Sequence, residues 1–167
     1  MERARPPKTA NVIREGAALS TPGAPGPMWS AKGRIGRVRY LVRCGLAGVA
    51  YLLVVGLVGI VLGSDVDAPS IRDGAIFAAL GLPVLVFVLL QSTQRARDLG
   101  WSAWTGVSVI VPCIGSLVSL VLLCAPGSPI RNENGPPPTP NGRALVITAW
   151  VLGAAWVAIT IASVLES

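Results

Sequence analysis

A run of twenty residues without a charge, Cys44–Gly63, constrains this chain more than any other feature. As an α-helix it is about 30 Å long, which is the thickness of a bilayer's hydrocarbon core. Eleven of the twenty are Leu, Ile or Val and five are Gly. At roughly −0.3 to −0.6 kcal/mol each, the branched aliphatics outweigh the glycines and favour insertion. Three more apolar runs follow, at about 74–93, 105–125 and 144–165. The chain is 13% charged, against about 25% in soluble domains. The pattern predicts an all-α membrane protein, a bundle of four transmembrane helices with short connections. Pro83 and Pro112 interrupt the second and third runs and predict kinks. Membrane helices tolerate these when neighbours satisfy the freed carbonyls.

Residues 1–32 are rich in Pro, Gly, Ala and charge and show no apolar period, so they read as a disordered basic tail. They do not read as a signal peptide, because the apolar run behind them has full membrane length. Nine of the fourteen Lys and Arg lie before residue 44: Arg3, Arg5, Lys8, Arg14, Lys32, Arg34, Arg37, Arg39 and Arg43. A net charge of +6 raises nucleic acid as a partner, but cytoplasmic accumulation of basic residues accounts for this asymmetry. With four crossings and the N-terminus inside, those nine join Arg95 and Arg97 in the cytoplasm, leaving Arg72, Arg131 and Arg143 outside. Both termini are therefore expected to be cytoplasmic.

The chain has no histidine, and Cys44, Cys113 and Cys124 lie in or beside apolar runs without a CxxC. They read as small hydrophobes, not as disulfide partners or zinc ligands. None of the four runs contains an Asp, Glu, Lys, Arg or His inside it, as an ion-coupled carrier would require. The loops offer no nucleophile beside a base. No catalytic, cofactor-binding or metal-ligating residues are expected, and the chain does not read as an enzyme.

Two polar clusters stand out. Arg34, Arg37, Arg39 and Arg43 flank the first run, where each can gain about 1 kcal/mol from anionic lipids. Ile35, Val38 and Leu41 recur at three-residue spacing, which suits an interfacial amphipathic helix. Arg95, Arg97, Asp98, Ser102 and Trp104 lie between the second and third runs. Arg95 and Asp98 can pair on one helical face. This cluster is either a docking site for a protein or lipid, or an ion pair that sets the register of two helices. Ser108, Ser116 and Ser119 share a face of the third run, and such residues line a polar path or let helices approach closely.

Four motifs carry a family resemblance. Gly33–Leu41 (GRIGRVRYL) matches an opening Gly-Arg-x-x-Arg followed by an aromatic, and Gln94–Trp104 resembles Arg-x-His-Asp, a linker, then Ser-x-Trp. Val111–Gly115 (VPCIG) and Pro126–Pro138 (PGSPIRNENGPPP) follow in order. Together they resemble the bacterial inner-membrane proteins of domain-of-unknown-function family 805, over about residues 33–138. Arg97 stands where the family has His, and Asn134 where it has an aromatic. The resemblance implies a three-span membrane core at 33–138, with 139–167 an extension carrying the fourth helix, in the cytoplasmic (inner) membrane. The expected activity is non-enzymatic, through contacts with membrane proteins or anionic lipids at the cytoplasmic face. The alternative is a small channel or exporter, a homo-oligomer lined by the third helix.

Overall fold

The computed structural model describes residues 22–23, 27–64 and 70–165; most of the expected tail lies outside them. Among the described residues the chain is helical, with two isolated β-bridges and no strand. The helices are α1 (Arg37–Leu62), α2 (Ile71–Asp98), α3 (Ala103–Val107), α4 (Ile114–Cys124) and α5 (Arg143–Leu165), with a 3-10 turn at Ser108–Ile110.

The first apolar run forms the body of α1, which starts two turns earlier than the uncharged stretch. It stops at Gly63, whose φ of 62° is left-handed. There Ser64 N–H donates to Gly59 O at 2.9 Å and Gly63 N–H to Ile60 O at 3.2 Å, the paired bonds of a Schellman stop. Ser70 caps α2 by accepting from Asp73 N–H at 3.2 Å. The acid in that first turn suits the positive end of the helix dipole. This second helix continues past the apolar run for more than a turn, so Arg95 and Asp98, expected in a loop, are helical. α1 and α2 are each long and apolar enough to cross a membrane.

The third apolar run departs from expectation. In place of one crossing helix it forms a hairpin whose two ends lie at the same end of the bundle. α3 folds back along α2, and a Cβ on Gly106 would meet the backbone of Ser92 and Thr93. The chain then tightens to the 3-10 turn and breaks at Pro112, which has no N–H to continue a helix. Cys113 adopts φ 66° and ψ −57°, the centre of a γ-turn in which Ile114 N–H donates to Pro112 O at 2.8 Å, a strained conformation for a residue with a Cβ. Gly115 packs against the Val109 carbonyl. From there α4 returns, only about 16 Å long, half a bilayer's hydrocarbon. Its closing carbonyls, Leu122 O and Ala125 O, accept from Arg95 at the end of α2. A hydropathy profile registers the apolar length but not this reversal. α5 packs on α1, where Leu152 sits against Gly45. Arg39, near the start of α1, reaches Thr139 O and Pro140 O just before α5, while Gly45 further along meets Leu152, so α5 runs parallel to α1 from the same end.

The burial pattern is inverted relative to a soluble protein. Leu52, Leu53, Leu57 and Ile60 are exposed, whereas Gln91, Ser92, Gln94 and Arg95 are fully buried. Residues 27–32, expected within the tail, are instead pinned to α2. Gln91 Nε2 donates to Met28 O at 2.6 Å, Gln94 Nε2 to Pro27 O at 2.7 Å, and Trp29 meets Phe87 edge-on at 5.1 Å.

Candidate functional site

Gln91, Gln94, Arg95 and Asp98 occupy positions i, i+3, i+4 and i+7 of α2, one polar stripe on a helical face. In water such a stripe would face solvent; here it faces inward and organises the polar end of the bundle. Asp98 is its centre. Its Oδ1 accepts from Arg34 Nε at 3.1 Å and Nη2 at 3.0 Å, and its Oδ2 accepts from Arg95 Nη1. All three side chains are at most 2% exposed.

Each arginine then reaches backbone carbonyls of another segment. Arg95 Nε donates to Leu122 O at 2.7 Å and its Nη2 to Ala125 O. These are carbonyls of the last turn of α4, where a cation also suits the negative end of the helix dipole. Arg34 donates to Ser128 O at 2.6 Å, Gly135 O at 2.9 Å and Ile130 O at 3.0 Å. Asp98 O accepts from Ser128 N–H at 2.9 Å. One carboxylate and two guanidiniums thus join the segment before α1, the end of α2, the end of α4 and the 126–135 loop. Gly127 permits this approach, because a Cβ there would strike Asp98 Oδ2.

The expected clusters are therefore redistributed. Arg95 and Asp98 pair as expected, but their third partner is Arg34, expected to contact anionic lipid. Its burial leaves no surface for a headgroup, and its hydrogen-bonding capacity is taken by Asp98 and the loop carbonyls. Arg97 turns away and donates to Ala31 O, while its own carbonyl accepts from Asn132 Nδ2 at 2.9 Å. Ser102 caps α3, and Trp104 is 78% exposed. Arg37 is exposed. Arg39 donates to Thr139 O and Thr139 Oγ1 at 2.8 Å, and Arg43 to Gln91 Oε1 at 2.9 Å. Tyr40 and Ser92 share a hydroxyl hydrogen bond at 3.2 Å.

With both oxygens of Asp98 held by guanidiniums, the triad is arranged as a brace and not as an acid–base pair. Among the described residues no group of three His, Cys, Asp or Glu could hold a metal. Sequence reasoning missed Gln91, Gln94 and Gly127; the period of the 91–98 stripe was the available signal for the two glutamines.

Known proteins match over the part of the chain that contains this brace. The family described as protein of unknown function (DUF805) matches residues 28–136, from the pinned Met28 to the end of the loop that Arg34 clips. The inner membrane protein YhaH of Escherichia coli K12 is 30% identical over 109 residues, covering 64% of this chain and 85% of the relative. The YhaH protein of Escherichia coli O157:H7 matches to the same extent. No solved structure matches. The matched span takes in α1, α2 and the α3–α4 hairpin and stops short of α5, and the chain belongs to the DUF805 family of proteins of unknown function.

Proposed function

We propose that the protein is a multi-pass inner-membrane protein, not an enzyme, that acts through protein or lipid contacts at a rigid cytoplasmic cap. The single observation that carries this reading is the Arg34–Asp98–Arg95 brace, which holds the polar end of the bundle in one shape. The membrane it is assigned to is the one named for the YhaH relatives.

In this reading α1, α2 and α5 cross the bilayer and α3–α4 forms a re-entrant hairpin. Charge supports it. The nine basic residues up to Arg43, with Arg95, Arg97, Arg131 and Arg143, then lie on the cap side, and Arg72 alone lies opposite. That is a sharper positive-inside division than four crossings give. The end of α5 then lies outside, opposite to the placement expected for four spans. A cysteine-free background carrying Asn141→Cys tests the arrangement. An impermeant maleimide should label it only from the cytoplasmic side; labelling from outside would restore the four-span arrangement.

Contact function falls to what the cap exposes, chiefly Trp104, Trp101 and Arg37. Trp104→Ala should remove a co-isolated protein or lipid without lowering membrane abundance. Identical co-isolated material in both samples would count against contact through this face.

One observation favours a second reading, an oligomeric pore. The hairpin tip, residues 111–113, is exposed irregular backbone about 14 Å below the start of α3. At membrane depth such backbone needs protein or a water-filled cavity around it. Conductance in reconstituted bilayers, abolished by a bulky substitution at Ser116, would support a pore; a silent bilayer would sink it.

A further inference from the structure

We propose that Pro22 and Gly23 form a releasable strap, seated on the proline-rich segment 136–140, that covers one side of the cavity beside Asp98. The strap and its seat form a device separate from the brace.

The seat follows from the sequence of that segment. Four of its five residues are proline, so Thr139 carries its only backbone N–H. Thr139 N–H donates to Gly23 O at 3.2 Å, and Gly23 N–H donates to Pro137 O at 2.8 Å. Together they make one parallel β-bridge between Gly23 and Pro138. A single donor allows a single register, because a slip by one residue would face Gly23 O with a proline nitrogen. The seated residue must also lack a side chain, since a Cβ on Gly23 would lie 2.4 Å from Pro136 Cγ.

The seat is held from its other side. Arg39 Nη1 donates to Thr139 O and Arg39 Nη2 to Thr139 Oγ1, both at 2.8 Å, and Arg34 Nη1 donates to Gly135 O at 2.9 Å. It therefore keeps its shape when the strap leaves. Gly23 and Thr139 lie on either side of the family-matched span 28–136, so the strap is an addition to the core that contains the brace.

Beneath the strap is a cavity of about 400 Å³. Pro22 forms part of its wall, and Arg37, Asp98 and Ser128 line it further in. Two backbone hydrogen bonds do little more than offset the entropy lost in ordering the strap. Such a contact opens locally while the buried ion pairs of the brace stay closed. Opening admits water and small solutes to the floor of the cavity.

The test uses the full chain in lipid nanodiscs, with amide exchange read on threonine-labelled protein. Gly23→Ala should speed exchange at Thr139 roughly tenfold, the loss of about one backbone hydrogen bond. Thr105, whose N–H donates to Ser102 O at 3.0 Å in α3, should exchange as in the wild type. Pro136→Ala removes the Cγ that the new methyl strikes, so Gly23→Ala/Pro136→Ala should restore the slow rate at Thr139. In a cysteine-free chain, Ser128→Cys should react faster with a small methanethiosulfonate reagent when Gly23→Ala is added, and the Pro136→Ala change should reverse this. Unchanged exchange at Thr139 in Gly23→Ala, or no rescue in the double variant, would overturn the proposal. So would faster exchange at Thr105 as well, or an unchanged rate at Ser128→Cys. Nanodiscs expose both faces, so these results are independent of the maleimide test of orientation.

Discussion

At the scale of single residues, the protein depends on one carboxylate. Asp98 faces two buried guanidiniums, and removing it leaves two cations without a counter-charge. Breaking a buried pair by deleting one partner destabilises by about 3–5 kcal/mol. Asp98→Asn, which preserves shape, should therefore lower the unfolding free energy by about that amount, measured by denaturant titration of the purified protein. Arg34→Gln should also destabilise. Because both changes break the same pair, the double variant should be more stable than additivity predicts. Strict additivity would mean that the pair is not coupled. Half of this site was legible in sequence. Arg95 and Asp98 are three apart and announce their pairing, and Gln91 and Gln94 extend the same stripe. Arg34 is 64 positions from Asp98, and nothing in a basic flank distinguishes an arginine that meets lipid from one that meets a buried acid.

At the scale of elements, hydropathy located the helices but not their direction. The uncharged run at 44–63 forms the body of α1 up to its Gly63 cap and the run at 74–93 lies within α2, and each helix has a polar end that extends beyond its run. The sequence places Arg95 and Asp98 in the connection after the second run, whereas in the structure they continue the buried polar face of α2. The third run has the apolar length of a span, and Pro112 alone reads as a kink. Reversal needs Pro112, the γ-turn at Cys113 and the Gly115–Val109 contact together, and only the last two involve geometry. Gly106 provides the sharpest test of the hairpin. A methyl group there meets the Thr93 backbone, which cannot yield as a side chain can. Gly106→Ala should therefore destabilise by about 1–3 kcal/mol, in the range of overpacked cores. Gly48 on α1 has open space around its Cβ position. Gly48→Ala should be neutral or stabilising by up to about 1 kcal/mol, from helix propensity alone. Equal effects of the two substitutions would mean that α3 does not lie on α2.

At the scale of the whole molecule, the brace and the family match coincide. Residues 28–136 contain every partner of Asp98, and α5 lies beyond them. Among the described residues α5 packs chiefly on α1, where Leu152 fills the space over Gly45, and none of the brace hydrogen bonds reaches it. The last loop segment, Thr139 and Pro140, is held by Arg39 and not by α5. The core should therefore close without α5. A chain ending at Asn141 should insert, accumulate, and keep the brace. Its unfolding free energy should fall by less than Asp98→Asn lowers it, because a helix–helix seam is lost without stranding a buried charge. The readout is denaturant titration of the truncated and full chains, each with and without Asp98→Asn. If the brace is intact, Asp98→Asn should destabilise both backgrounds equally. A truncated chain insensitive to Asp98→Asn would mean that α5 holds the polar end together from a distance, and that the family core is not a self-sufficient unit in this protein.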